Sequence, residues 1–221
     1  MPRATTVGMT STDLTHLGLG PLSLVCGNLA EEIADVLVNE ANNTLAMTGG
    51  VAGALRARGG LSIHTEAIAM APLPVGRVVR TGAGDLDARW VYHAITKDYG
   101  LGRGLSGKIV TAVVEECLVM ADEDEARSLC LPLFGAGGGS DLFGLEMPLN
   151  ALVEGLESVG RGPTSDVEVR IVVRDPAEYE QAKALLSQTK VGAAREAEES
   201  QLAEDYLAQL MADMGDVDLD F

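Results

Sequence analysis

Short apolar runs alternate with helix-like segments along most of the chain, and few folds can accommodate this order. The runs place apolar and β-branched residues at consecutive positions, which is typical of strands buried on both faces. Six such runs occur, at residues 21–27, 34–41, 76–84, 89–95, 128–134 and 166–175. A sheet of buried strands needs helices on both faces, so the sequence predicts an α/β architecture built in layers.

Four segments between or after these runs have the spacing of helices that turn one apolar side towards a sheet. They cover residues 51–59, 106–121, 145–159 and 176–188. The first helix is predicted to end at Gly59, because glycine readily adopts the left-handed backbone of a helix cap. Pro148 and Pro176 suit the first turns of the last two helices, where a missing N–H group costs nothing.

Composition divides the chain into three parts. Residues 1–20 are predicted to be a loose, flexible leader, residues 21–190 carry the alternating elements, and residues 191–221 form an acidic tail. Within the tail, four large side chains recur every four residues: Leu202, Tyr206, Leu210 and Met214. This spacing predicts an amphipathic helix, and residues 193–221 are therefore a candidate surface for a protein partner.

The overall charge and hydropathy exclude several classes of function. The net charge is −17, from 33 acidic and 16 basic residues. Non-specific nucleic-acid binding needs a cationic surface, so we do not expect it. No apolar run is long enough to cross a bilayer, and the first residues lack the apolar stretch of a signal peptide. We expect a cytoplasmic protein with no membrane partner.

The cysteines and histidines do not form a pattern typical of catalysis or metal binding. Cys26, Cys117 and Cys130 are odd in number and contain no C-x-x-C pair, so we expect small buried hydrophobic residues rather than disulfides or a zinc site. His93 lies in a strand pattern, and we expect a hydrogen-bonded core histidine. No metal site is predicted.

Two glycine-rich loops each follow a predicted strand and precede a predicted helix. The first is "TGG", residues 48–50, and the second is "FGAGGGSDLFG", residues 134–144. Glycine lets the backbone approach a ligand closely, and successive N–H groups can then point into one concavity. The N-terminus of the following helix adds unpaired N–H groups and a partial positive charge. Two such loops predict a site for the two halves of a diphosphate.

Three asparagines, Asn39, Asn42 and Asn43, precede the first glycine loop. Their amides can hydrogen-bond sugar hydroxyls, so this order predicts a nucleotide diphosphate as the ligand. Two other interpretations stay open: ordinary strand-to-helix turns, and a dinucleotide-binding fingerprint in "GAGGGS". The fingerprint is disfavoured because the acids that follow about twenty residues later, Glu154 and Glu157, lie in the middle of a predicted helix.

The order of short motifs along the chain resembles a known family. The motifs are "GNL" (27–29), "LVNEAN" (37–42), "LAMTGGVAGAL" (45–55), "GG" (59–60), "TGAG" (81–84), "YHAI" (92–95) and "LPLFGAGGG" (131–139). Together they resemble the macrodomain, an α/β/α module that binds ADP-ribose, from about residue 21 to residue 189. The resemblance implies a three-layer α/β/α sandwich with a central mixed, mostly parallel sheet.

The resemblance also implies a set of ligand-contacting residues. They are Gly27, Asn28, Leu29 and Arg174 at the adenine, Thr48, Gly49, Gly50, Val51 and Ala52 on one side of the diphosphate, and Gly135, Ala136, Gly137, Gly138, Gly139 and Ser140 on the other. Asn42 would face the distal ribose and would take part in any catalysis. Asn39 would brace the site.

Four of these positions depart from the family's pattern. Asn28 replaces an adenine-reading acid, although its side-chain oxygen can still accept from the adenine amino group. Thr48 replaces the first glycine of the first loop, and Arg174 stands where a phenylalanine often packs on the base. Ala52 replaces an aspartate found in one hydrolase branch.

The function implied by the resemblance is binding of ADP-ribose or of ADP-ribosylated macromolecules, with no cofactor. Two alternatives stay open. One is a hydrolase that removes ADP-ribose from protein, nucleic acid or O-acetyl-ADP-ribose, with Asn42 orienting the ribose. The other is a nucleotide-signal sensor or scaffold that uses the acidic tail.

Overall fold

The computed structural model describes residues 10–98, 105–136, 144–161 and 165–189. The described residues form one seven-stranded sheet. Its strands are β1 (Thr10–Asp13), β2 (Leu22–Cys26), β3 (Val36–Asn42), β4 (Val78–Gly82), β5 (Trp90–Lys97), β6 (Ser128–Pro132) and β7 (Glu168–Val173). Their spatial order is β1-β2-β7-β6-β3-β5-β4. The two outer pairs, β1 with β2 and β4 with β5, are antiparallel, and the four inner pairs are parallel. The predicted mixed, mostly parallel sheet is confirmed.

In the described parts of the chain, five α-helices pack around this sheet. They are α1 (Gly50–Gly59), α2 (Leu61–Met70), α3 (Gly107–Glu123), α4 (Glu146–Ser158) and α5 (Pro176–Leu186). Helix α1 packs against β3 and α2, whereas α4 packs against both α3 and α5. Because the inner strands have apolar residues at consecutive positions, they bury side chains on both faces of the sheet. Leu37 and Val38 of β3, for example, are both fully buried. This arrangement is the three-layer α/β/α sandwich that the sequence predicts.

The junction between α1 and α2 differs from the prediction. Gly59 was expected to cap the first helix in a left-handed conformation, but it belongs to α1, and the next residue, Gly60, has the positive φ of 89°. Helix α2, which the sequence analysis does not predict, begins directly afterwards at Leu61. Gly59 is required for packing instead, since a Cβ atom there would lie 2.3 Å from Ile63 Cδ1. No side chain fits at this close contact between the helices.

Residues 10–20 belong to the folded part of the chain, and for them the expectation of a loose leader is wrong. Strand β1 pairs with β2, and Thr12 Oγ1 hydrogen-bonds the Tyr179 hydroxyl at 2.7 Å. Leu14, Leu17 and Leu19 are buried. Strand β1 is polar and mostly exposed, so its sequence carries no hydrophobic alternation. Residues 1–9 lie outside the described residues.

Residues 190–221, and with them the amphipathic helix predicted for the tail, lie outside the described residues. Where the structure describes the chain, no helix has the length and apolar character needed to cross a membrane. The same residues contain no cluster of acidic, cysteine and histidine side chains suited to a metal ion. The cysteines are unpaired, and Cys117 and Cys130 are buried as expected, whereas Cys26 is only partly buried. Cys130 Sγ also lies 3.3 Å from Arg170 Nε, so its surroundings are not purely apolar.

A candidate nucleotide cleft at the carboxyl edge of the sheet

Because strands β2, β7, β6 and β3 run parallel, their carboxyl ends meet at one edge of the sheet (the carboxyl edge). Ligands of α/β folds gather at this edge, where the loops and helix N-termini meet. Two cavities lie there. The larger cavity, of about 400 Å³, is lined by Gly27, Asn28, Leu29, Gly50, Val51, Ala54, Pro132, Leu133, Ala136, Val172, Val173, Arg174, Asp175, Pro176 and Glu178. The smaller cavity, of about 260 Å³, is lined by Asn39, Glu40, Ala41, Asn42, Leu45, Ala46, Met47, Thr48, Gly49, Gly50, Val51, Ala52, Lys97 and Ala136.

The two cavities share three lining residues, Gly50, Val51 and Ala136. They therefore adjoin at the N-terminus of α1 and form one cleft. Gly27, Asn28, Leu29 and Arg174, which were predicted at the adenine end, line the larger cavity. Asn39, Asn42 and the first glycine loop line the smaller cavity. Residues 137–140 of the second glycine loop, which comprise Gly137, Gly138, Gly139 and Ser140, lie outside the described residues.

Asn28 is held by its own segment of backbone. Its Oδ1 accepts a hydrogen bond from the Ala30 N–H at 3.2 Å, which caps the short helical turn Leu29–Glu31. Its Nδ2 donates to Glu31 Oε1 at 3.1 Å. The oxygen that was expected to accept from adenine therefore has one of its two lone pairs occupied. The amide stands at the wall of the larger cavity in a fixed orientation.

The segment in which β7 passes into α5 also lines the larger cavity. Arg174 is exposed in this segment. Asp175 caps α5, and its Oδ1 accepts from the backbone N–H groups of Ala177 at 2.8 Å and Glu178 at 3.1 Å. The Asp175 carboxylate is therefore engaged with the helix, whereas the neighbouring Arg174 side chain is exposed.

Helix α1 begins where the cavities adjoin, and no side chain caps it. Its N-cap residue is Gly49, which has an extended backbone with φ of −169°. Gly50 has φ of 58°, a conformation that L side chains rarely adopt. A Cβ atom added at Gly49 or Gly50 would meet nothing within 4 Å. The first N–H groups of α1 therefore border open space, and the helix dipole favours an anion there.

The second glycine loop starts directly after β6. Gly135 has φ of 81°, and its N–H donates to Glu40 Oε2 at 3.1 Å. Ala136 follows and lines both cavities. Gly135 itself is not among the residues that line the two cavities, and its contact with a ligand stays a prediction. It anchors the start of the loop to strand β3.

The asparagines take three different roles. Asn42 Oδ1 accepts from the Thr44 N–H at 2.9 Å and from the Thr44 hydroxyl at 2.7 Å, so its amide is fixed at the rim of the smaller cavity. Asn43 Nδ2 donates to Asp98 Oδ1 at 2.9 Å, and this residue does not line either cavity. Asn39 is buried in the floor and contacts His93. Asn39 and Asn42 line the smaller cavity, whereas Asn43 does not. The roles towards a ligand that the resemblance implies for Asn39 and Asn42 stay predictions.

Glu40 is a site residue that the sequence analysis missed. Its Oε1 accepts from Lys97 Nζ at 3.0 Å and from Thr96 Oγ1 at 3.1 Å, and its Oε2 accepts from the Gly135 N–H. The side chain is 9% exposed. It ties the end of β3 to β5 and to the second glycine loop. The quoted motif "LVNEAN" held the only signal, a glutamate between two asparagines at the end of a buried strand.

His93 is the core histidine that the sequence predicts. It is fully buried, and its two ring nitrogens hydrogen-bond Asn39 Nδ2 and Thr81 Oγ1, each at 3.0 Å. Burial lowers the pKa of His93 to about 4, because the charged ring would lose its hydration. The ring is therefore neutral at physiological pH.

The fold and the cleft define an α/β/α protein with a site at the carboxyl edge of its sheet, and comparisons with known proteins agree. The Macro domain profile matches residues 38–140. A macro domain-containing protein of Streptomyces coelicolor is 36% identical over 165 residues, which cover 72% of this chain and 94% of that protein. The chain therefore belongs to the macro domain family.

Two solved structures share the fold at low sequence identity. The macrodomain of Oceanobacillus iheyensis with ADP has a TM-score of 0.67 and 20% identity, covering 81% of this chain and 96% of that one. The macrodomain of Trypanosoma brucei in complex with ADP-ribose has a TM-score of 0.62 and 19% identity, covering 74% of this chain and 68% of that one.

Proposed function

We propose that this protein binds ADP-ribose, free or attached to a macromolecule, in the cleft at the carboxyl edge. One observation carries the proposal: two adjoining cavities meet at the uncapped N-terminus of α1. A ligand with an anionic centre and a bulky group on each side fits this arrangement. The ADP and ADP-ribose in the related macrodomain structures have this chemistry.

Each part of ADP-ribose has a counterpart in the cleft. The adenine is assigned to the larger cavity, between Asn28 and Arg174. The diphosphate lies against the first N–H groups of α1 at Gly49 and Gly50, where the helix dipole stabilises negative charge. The distal ribose occupies the smaller cavity beside Asn42. Backbone N–H groups and neutral amides supply these interactions, so the proposal needs no cofactor.

Binding is favoured over hydrolysis because, among the described residues that line the smaller cavity, no carboxylate is free to act as a base. Ala52 has no acid to contribute. Glu40 lines the cavity, but its oxygens already accept from Lys97, Thr96 and the Gly135 N–H. A positioned side-chain base contributes roughly 10²–10⁴-fold to such reactions, and its absence slows them accordingly.

We therefore expect slow or absent release of ADP-ribose from carboxylate-linked substrates. The measurement follows label release from an auto-modified acceptor protein over an hour, with Asn42→Ala as the control. Fast release by the wild type that disappears in Asn42→Ala would show that the protein is a hydrolase.

Thermal unfolding in the presence of ligand tests the binding proposal. A ligand that binds only the native state stabilises it, by about 2.7 kcal/mol when its concentration is 100 times the Kd. We expect ADP-ribose to raise the Tm in a concentration-dependent way, and ADP to raise it less. An unchanged Tm with millimolar ADP-ribose would contradict the proposal.

A further inference from the structure

A row of buried polar side chains crosses three neighbouring strands beneath the smaller cavity. Asn39 of β3, His93 of β5 and Thr81 of β4 are 1%, 0% and 3% exposed. Asn39 and His93 are direct partners across the parallel strand pair. Polar groups are costly to bury unless they are hydrogen-bonded, so a row of three needs a reason to be there.

The hydrogen bonds along the row all run in one direction, with each residue donating to the next from Asn39 through His93 and Thr81 to the Gly82 carbonyl oxygen. The Thr81 hydroxyl carries a single hydrogen, and it donates to the Gly82 carbonyl oxygen at 3.0 Å. His93 Nε2 is therefore the donor in its 3.0 Å contact with Thr81 Oγ1. Neutral imidazole carries one N–H, so Nδ1 is an acceptor and Asn39 Nδ2 donates to it at 3.0 Å.

This direction orients the amide of Asn39. Its nitrogen end is held by His93, so its oxygen end is turned away from the ring. Asn39 Oδ1 is buried and accepts no hydrogen bond from the described residues. Asn39 also lines the smaller cavity. A buried acceptor without a donor is destabilising, and a donor from a ligand would offset that cost.

We propose that His93, which touches no ligand, is a positioning residue that makes the smaller cavity selective for a ligand with a hydroxyl donor. It holds Asn39 so that Oδ1 is the atom offered to a hydroxyl of the distal ribose, directly or through one bound water. The inference rests on the proposed binding of ADP-ribose. The inference goes beyond the proposed binding, because it assigns the preference for the distal ribose to the buried row of Thr81, His93 and Asn39.

Without His93 the cavity would lose this selectivity. The oxygen and nitrogen ends of an amide have nearly the same shape, and only hydrogen bonds decide which end faces which way. An apolar side chain at position 93 leaves Asn39 Nδ2 without an acceptor. The amide can then turn, and a donor rather than an acceptor would meet the ribose hydroxyl.

The experiment compares ADP-ribose with ADP, which lacks the distal ribose. Affinities for both ligands are measured by calorimetry for the wild type, His93→Leu and His93→Asn. In His93→Asn an amide oxygen can take the place of Nδ1 and still accept from Asn39. Tyr92→Phe is the matched control, because Tyr92 is buried next in sequence but hydrogen-bonds Met120 and Asp124 instead of the row.

We expect the wild type to bind ADP-ribose more tightly than ADP. His93→Leu should reduce that preference by about 10-fold, which corresponds to one hydrogen bond, with ADP affinity unchanged. His93→Asn and Tyr92→Phe should keep the preference. A loss of affinity in His93→Leu that is equal for both ligands, or no loss at all, would overturn the inference and leave the proposed binding intact. Wild-type protein that binds neither ligand would overturn the proposed function itself.

The tautomer of His93 provides a test that does not depend on any variant folding. Long-range ¹H–¹⁵N NMR spectra of labelled wild-type protein distinguish a protonated Nε2 from a protonated Nδ1. We expect His93 to be neutral with the proton on Nε2, both free and with ADP-ribose bound. A proton on Nδ1 would reverse the row, present the nitrogen of Asn39 to the cavity and contradict the inference.

Discussion

Replacing Gly49 by glutamate is expected to abolish ADP-ribose binding while the fold stays intact. Gly49 has an extended backbone that any residue adopts, and a Cβ atom there meets nothing within 4 Å, so the protein should tolerate a side chain. That open space is the one we assign to the diphosphate. Two like charges about 4 Å apart repel by roughly 4 kcal/mol at an effective dielectric constant of 20. We expect the affinity to fall by more than about 100-fold.

Calorimetric titration of three variants separates the causes of this loss. Gly49→Ala adds only a Cβ atom and should lose several-fold at most. Gly49→Gln has the shape of glutamate without its charge and should fall between the other two. Equal affinities for the glutamine and glutamate variants would show that no anionic group binds beside α1. Unchanged affinity in Gly49→Glu would show that the ligand binds elsewhere.

Acidification should destabilise the protein through His93. Burial lowers the pKa of this histidine from an ordinary value of 6.5 to about 4. Between these values the unfolded chain binds a proton that the folded protein excludes, so the free energy of unfolding falls as the pH drops. Each pH unit in this window costs about 1.4 kcal/mol, so we expect a loss of roughly 2 kcal/mol between about pH 7 and about pH 5. The loss should continue down to about pH 4.

Urea unfolding of the wild type and of His93→Asn at several pH values measures this effect. Asparagine does not titrate, so the free energy of unfolding of His93→Asn should lack the loss that His93 causes on acidification. The variant should therefore become more stable relative to the wild type as the pH falls. Parallel curves for the wild type and His93→Asn would mean that His93 is charged in the folded protein.

The elements that the sequence predicts are those with strong local patterns. Strand β3 and its neighbours are continuous apolar runs, and α5 begins with a proline and an aspartate cap. Helix α2 was missed because only Ile63 and Ala67 of its ten residues are buried, so its apolar side is too narrow to show a helical period. Strand β1 was missed because it is a polar edge strand whose pairing with β2 is decided by the fold as a whole.

Some residues of the candidate site could likewise be predicted from local sequence patterns, and others could not. Asn39, Asn42, Gly49 and Gly50 belong to short local motifs, and the resemblance predicted them near the site where they line the smaller cavity. Glu40 could not be predicted, since its partners Thr96, Lys97 and Gly135 lie more than 50 residues away in sequence. The occupied oxygen of Asn28 also escaped prediction, because it depends on the short helical turn that follows.

Calorimetric titration of the wild-type protein with ADP-ribose, ADP and NAD tests the central claim most directly. The cleft has a cavity on each side of the helix N-terminus, so a ligand that fills both should bind best. We predict saturable one-to-one binding of ADP-ribose, weaker binding of ADP, and weaker binding of NAD because its nicotinamide extends beyond the distal ribose. Absence of heat with millimolar ADP-ribose, or affinity for NAD equal to that for ADP-ribose, would contradict this account.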